Sequence, residues 1–576
     1  MAKAGSHPHF GKTELLASLD DGSLQAFLKA AQAALDEEAW ASLASMALEA
    51  HQSGRTDLVA ALGRDETSPI NHPTQRFIGL VLPEFDLPVE QMAGLITTLS
   101  SRSRGKGIPH SLHTGFSAWL ERDAARPAAA LAALETGRAP ADLLNSILFT
   151  GLRLDAGTFL PKTIGLLRVG TTDQRETAAG LLGRFDKFTP SQQTEAVEHL
   201  ERALSSAVGA DVTALLRALL AAAVRSTNDP DIGLRALSLV AGRADAHVRE
   251  AVSLEMMFDI EKVSDALAIA ALAPLHDVEK AESATIDAID HILSHKIPGR
   301  LETEKAQLLD AILARRIVTM SDLQSTGNAL LIGDRDSRDA TIRRWLTSEK
   351  LSHFVAVRDI CGHYTERAAT FDLDFSGLSR KQAERVARRS CVVLVLHPET
   401  VASILASLMR TGPANAVPRI EALLFDPLLV SYWNGPRAYL ESILPDAPAA
   451  MAASIQRVLA RHDQYKEAIE ATQTLRELRP SQHQRFLVEL QRREQSRAID
   501  KSARSQSFIA NLFPTSVLLY GDSAIYDMHL SDDQVVRQET PMQTHEFSQE
   551  IPRLEVIDPF GSWFQRERLL DEEEEA

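Results

Sequence analysis

Residues 189–204, "TPSQQTEAVEHLERAL", and residues 211–224, "DVTALLRALLAAAV", decide the fold. The first stretch opens on Thr189, Pro190 and Gln192. That order supplies an N-cap hydroxyl, a proline where no amide hydrogen is needed, and the glutamine of a capping box. Val197, Leu200 and Leu204 then recur at helical spacing. The second stretch puts Val212, Leu215, Leu216, Leu219 and Leu220 on one stripe. Two amphipathic helices with a short break between them read as a pair.

Working outward, helical periodicity runs from residue 13 to residue 510, interrupted by short Gly, Asn, Asp and Pro punctuation. Pairs are expected to start near 173, 210, 245 and 277. Their spacing of roughly 35 residues is that of a helical repeat array. The Trp, Gly and Tyr pattern of tetratricopeptide repeats is absent. "DPDIGLRALSLV" carries Asp229, Pro230, Leu234, Arg235 and Leu237, and "DAHVREAVSL" carries Asp245, Val248, Arg249, Ala251 and Leu254. "DRDSRDATIRRWL" from Asp334 is a looser third. This pattern resembles the second helix of HEAT repeats over roughly residues 150–350. In it an Asp caps the helix, the Val or Leu enters the core, and the Arg reaches an acid of the neighbouring repeat. The competing reading is an irregular all-α domain.

The expected architecture is therefore all-α: a HEAT-like α-solenoid of antiparallel helix pairs with a small β-rich C-terminal appendage. Residues 1–150 form an N-terminal helical region, 151–510 the repeat region and 511–576 the appendage. In that last part "SVLLY", "SAIYDMHL" and "QVVRQ" read as strands, with turn signals at Gly521-Asp522 and Ser531-Asp532-Asp533. A short helix follows, capped by Asp558, with Phe560, Trp563, Phe564 and Leu570 on one face and the run "DEEEEA" behind it.

Composition bounds the function. The 576 residues include 44% hydrophobic, 24% charged and only 5% aromatic side chains, ordinary for a globular chain built of closely packed helices. A formal net charge of -17 argues against general nucleic-acid binding, though a local basic face is compatible with it. Arg outnumbers Lys 47 to 14, which reads as a GC-rich, bacterial coding bias. Two Cys, no apolar leader and no apolar run of membrane-spanning length lead to an expected cytoplasmic location.

Three motifs invite chemistry. "SVLLYGDSAIYDMHL" resembles the nucleophile block of the GDSL hydrolases at Ser523. Such a triad places its Asp and His far downstream, whereas 53 residues remain and none forms D-x-x-H, so Gly521-Asp522 reads as a hairpin turn. "GSHPHFGKT" has five residues between its glycines, one of them Pro8, so it does not wrap a phosphate. Cys361, His363, Cys391 and His397 lack the close pairing of a zinc site. No cofactor, metal or catalytic residue is expected, and the chain reads as a non-enzyme.

Two features point to binding instead. Lys381, Arg385, Arg388 and Arg389 fall close to one face of a helix, and Arg492 and Arg493 belong to a second basic stretch from Arg476 to Arg504. Tyr432 and Trp433 stand near a Gly-Pro turn, and Trp563 and Phe564 lie near the C-terminus. The expected function is a non-catalytic scaffold or adaptor for protein partners in a bacterial assembly. The alternative is a nucleic-acid-associated solenoid in DNA repair or phage defence, its basic faces on phosphates.

Overall fold

The computed structural model describes residues 11–571 apart from 33–35, 64–69, 103–109, 227–228, 244, 296–299, 363–368, 473–480, 507–515, 519–522, 530–534 and 542–549. The described residues are overwhelmingly helical. They divide into two compact units, Met1–Val318 with Asp322–Ala329, and Thr319–Ser321 with Leu330–Ala576, so the division falls inside the 151–510 region.

The first unit contains five consecutive helix pairs, of which the last four were foreseen from the pattern. They are α1 (Leu144–Leu154) and α2 (Ala156–Val169), α3 (Thr172–Arg184) and α4 (Pro190–Ser206), α5 (Ala210–Arg225) and α6 (Ile232–Leu239), α7 (Ala246–Asp259) and α8 (Asp265–Leu272), and α9 (Ser283–Ser294) and α10 (Glu302–Ala314). Starts at 172, 210 and 246 lie within one residue of expectation. The fourth is Ser283 rather than 277, because a 3-10 turn at Ala273–Asp277 prolongs the preceding helix. Thr189 and Gln192 form the expected capping box at the start of α4.

Packing repeats along the sequence. α3 touches α1 and α5, and α7 touches α5 and α9. In a second row α4 touches α2 and α6, and α8 touches α6 and α10. Leu200 on α4 and Leu216, Leu219 and Leu220 on α5 are fully buried. α3 and α5 meet so closely that a Cβ at Gly183 would stand 2.2 Å from the carbonyl oxygen of Ala218.

Polar links recur with the same step. Arg175 Nη2 donates to Asp211 Oδ2 at 2.7 Å, 36 residues on, and Arg235 Nε to Glu201 Oε1 at 2.9 Å, 34 residues back. Arg249 grips Glu282, 33 residues on, through Nη2 at 2.6 Å and Nε at 2.9 Å. The carboxylate of Asp290 accepts Thr326 N at 2.8 Å and Thr326 Oγ1 at 2.7 Å, 36 residues away. Asp245 caps α7 by accepting from His247 N, as foreseen. Asp229 stands two residues before the N-cap Asp231 of α6; its carboxylate accepts from Asp231 N at 3.1 Å and from Arg235 at 2.8 and 3.0 Å, the charge-assisted pair being the stronger.

In the second unit α11 (Arg335–Thr347), α12 (Leu351–Gly362), α13 (Arg380–Val393), α14 (Pro398–Thr411), α15 (Val417–Leu423), α16 (Gly435–Ile443) and α17 (Ala449–Thr472) are followed by α18 (Gln482–Gln506). α13 contacts both α11 and α15, and α14 contacts α16. An extended segment lies along α14 on a ladder of hydroxyls. Thr400 Oγ1 donates to Ala369 O at 2.6 Å. Ser403 Oγ, Ser407 Oγ and Thr411 Oγ1 accept from the amides of Phe371, Leu373 and Phe375 at 3.1, 3.2 and 2.8 Å. The alternate side chains Phe371, Leu373 and Phe375 are buried.

Near the C-terminus β1 (Ser516–Leu518), β2 (Ser523–His529) and β3 (Val535–Pro541) form an antiparallel sheet in that order. Ser523 is the first residue of β2, opposite Pro541, while the proposed turn at Gly521-Asp522 lies outside the described residues. α19 (Arg553–Ile557) and α20 (Pro559–Asp571) complete the unit. Asp558 Oδ1 accepts from Gly561 N at 2.9 Å, the cap expected there. No helix among the described residues is long and apolar enough to cross a membrane.

Candidate docking surface

The sequence singled out α13 for its bases, residues 432–433 for their aromatics and α20 for its apolar face, and the structure brings all three into one unit. α20 packs on α13. Glu550 reaches the N-terminus of α16. Its Oε1 accepts from Trp433 N at 2.8 Å and Asn434 N at 3.3 Å, and its Oε2 from Gly435 N at 3.2 Å. Three successive amide groups at a helix start are free donors with a positive dipole behind them, so a carboxylate is the fitting partner. Three residues later the Arg553 guanidinium lies 3.4 Å from the centroid of the Trp433 ring. Gln565 Nε2 donates to Asp426 Oδ1 at 2.8 Å, Leu569 is buried, and Arg566 pairs with Glu555.

Around Trp433, the His462 ring meets it edge-on at 6.2 Å, and Lys466 Nζ is 5.8 Å from its centroid. His462 is buried and its imidazole is held below the ordinary range, first by burial and then by Arg437. Tyr432 is buried too, its hydroxyl donating to the carbonyl of Val395. It is a core residue, not an interface one.

The basic helix face differs from its sequence reading. Lys381 is exposed, but Arg388 and Arg389 are only 8% and 7% exposed. Arg389 Nη1 donates to the carbonyls of Ser348 and Glu349 at 3.2 and 2.8 Å, and its guanidinium is 5.5 Å from the centroid of the Phe354 ring. Arg385 donates to Thr347 O at 3.5 Å and pairs with Glu349. The Nε atoms of Arg385, Arg388 and Arg389 are all sealed from solvent with no hydrogen-bond partner, and no ion pair to Arg388 is found among the described residues. Arg492 and Arg493 sit on α18, whose residues 482–499 are exposed throughout; Arg493 pairs with Glu489 at 3.2 Å.

α20 also docks the other way up. Leu569 faces inward, while Phe560, Trp563 and Phe564 are 74%, 50% and 59% exposed. The polar contacts of Glu550, Arg553 and Gln565 hold the segment, and the large aromatics point out. Glu550 and Arg553 were missed in the sequence. Their only signal is a Glu-x-x-Arg spacing, which is common in helical proteins.

Elsewhere the chemistry is sparse. Cys361 and Cys391 are buried, and burial pushes both thiols up to about 12, where they are inert as nucleophiles. His363 lies outside the described residues, and among the described residues no three His, Cys, Asp or Glu side chains cluster to hold a metal ion. A solvent-open cleft of about 540 Å³ in the first unit is lined by Arg168, Arg175, His199, Arg202 and Asp211. Arg175 is committed to Asp211 there, and Arg202 meets His199 at 3.0 Å. No protein-family model matches the chain, and no curated protein matches it.

Proposed function

We propose that this chain is a non-catalytic α-solenoid of HEAT-like helix pairs that serves as a scaffold or adaptor for protein partners in a bacterial, cytoplasmic assembly. The observation that carries the reading is the repeated step in the first unit. Helices two apart in sequence pack on each other in two rows, and the side chains that tie successive pairs are 33 to 36 residues apart. A chain organised this way spends its length on a continuous core and a long surface, the form suited to extended partners. The three-stranded sheet and α20 of the second unit are then the β-rich appendage.

The nucleic-acid alternative draws on the basic faces. It is the weaker reading because Arg385 and Arg389 are already held by carbonyls and Arg388 is shut in. What remains for phosphate is Lys381 and the exposed bases of α18. Affinity purification of the native protein at two salt concentrations, with mass spectrometry of what is retained, tests both. A stoichiometric protein partner retained at moderate salt supports the adaptor. Nucleic acid whose retention falls steeply with salt overturns it. Covalent labelling of Ser523 by a fluorophosphonate would overturn the non-enzymatic reading.

A further inference from the structure

We propose that α18 and α20 are the two halves of a self-association surface, each taking the other helix of a second copy of this chain. The inference goes beyond the adaptor reading and does not depend on it.

Both helices leave a stripe open to solvent. On α18, Phe486 and Leu490 are 62% and 44% exposed, and Arg493 and Arg497 follow on the same side, exposed as well. On α20, Phe560 and Phe564 are exposed, Glu567 follows, also exposed, and Asp571 is the next residue at that step. Each stripe runs i, i+4, i+7, i+11. At 100° per residue, four such positions fall within about 60° of arc and span about 17 Å, so each helix presents them as one face. Within one chain the two faces do not cover each other, since both stand in solvent.

The order of chemistry along the two stripes is complementary. With the helices parallel and their first residues level, Phe486 meets Phe560 and Leu490 meets Phe564. Arg493 then meets Glu567, and Arg497 meets Asp571. An antiparallel pairing would set the bases against the aromatics. The same register brings Lys501 level with the acidic run that follows α20. The apolar half takes large side chains out of water, and the charged half fixes register and partner. Arg493 is held at 3.2 Å by Glu489 on its own helix, an exposed contact too weak to compete.

Both stripes belong to one sequence, which is why the occupant is a second copy. Two copies related by a two-fold axis use the contact twice and leave neither stripe bare. The exposed apolar residues, otherwise an aggregation liability, are then accounted for.

The test is sedimentation equilibrium of the full chain over a series of concentrations. A monomer–dimer equilibrium that weakens with added salt is expected. Two altered chains then probe the register: Arg493→Glu with Arg497→Glu, and Glu567→Arg with Asp571→Arg. Arg493, Arg497 and Glu567 are exposed, so the fold tolerates the reversals. Each altered chain alone should dimerise at least about tenfold more weakly, because like charges then oppose. Mixed in equal amounts, the two should form a heterodimer as tight as the unaltered dimer, since each reversed stripe meets its complement. A chain that stays monomeric at every concentration, whether its stripes remain bare or take another protein or nucleic acid, overturns the proposal. So does a dimer indifferent to the reversals, or a mixture that fails to recover.

Discussion

Arg249 and Arg388 are both shut away from water, at 4% and 8% exposure, and their surroundings differ completely. Arg249, on α7, is gripped by both oxygens of Glu282, so its charge is used up inside the fold, and the pairing raises its pKa further. Arg388, on α13, has no such partner. Burial is thus the same while the surroundings differ: one cation ties a helix pair to the next, the other has its Nε sealed away without a hydrogen-bond partner. Lys305 stands between them. Its ammonium donates to the carbonyl of His295 at 2.6 Å, and burial lowers its pKa to about 8.

The largest expected effect breaks the paired case. Glu282→Ala strands a buried guanidinium and should lose about 3–5 kcal/mol of unfolding free energy, measured by urea denaturation. Changing both partners, Arg249→Met with Glu282→Leu, should recover most of it. A loss below about 1 kcal/mol for Glu282→Ala would remove the contrast with Arg388.

Next is the row packing that sets the step between pairs. Gly183→Ala forces α3 away from the Ala218 carbonyl and should cost about 1–3 kcal/mol, as overpacking does. The same change at Gly180, where a Cβ meets open space, is expected to be neutral or slightly stabilising.

The two remaining cations sharpen the comparison. Arg388→Met has no partner to orphan, so stability should hold or rise by about 1 kcal/mol in the same assay. For Lys305 the sign follows from a folded pKa of about 8, below the ordinary 10.5. Folding then favours the neutral amine. The penalty is full below pH 8 and fades as pH rises toward 10.5. Lys305→Met should stabilise the protein at pH 7, and its advantage should shrink over that window.

How much of this was readable beforehand follows from what sets each feature. Starts at 172, 210 and 246 were legible because caps and apolar periodicity are local. The shift to Ser283 was not, because a 3-10 turn leaves no periodicity to count. The hydroxyls of Thr400, Ser403, Ser407 and Thr411 were not singled out in the sequence, and the first three are buried. Their partners are backbone groups of an extended segment some thirty residues earlier, which side-chain patterns do not reveal. Lys381, Arg385, Arg388 and Arg389 were correctly placed along one helix. The burial of Arg388 and Arg389 depends on packing from distant elements, and Arg385 and Arg389 are held by carbonyls at 347–349. The aromatics of α20 were read as its docking face because apolar area dominates most contacts. Leu569 is buried and Gln565 bonds Asp426 from the other side of the helix instead.

Glu550, Arg553 and Gln565 hold the C-terminal segment in the second unit, and the Glu550 carboxylate is its anchor on residues 433–435. Hydrogen exchange on the full chain and on its Glu550→Ala variant tests this most directly. The account predicts faster exchange at the amides of residues 433–435 and throughout 553–571, with 246–294 unchanged. Unchanged protection at 433–435 and 553–571 in the variant would contradict it.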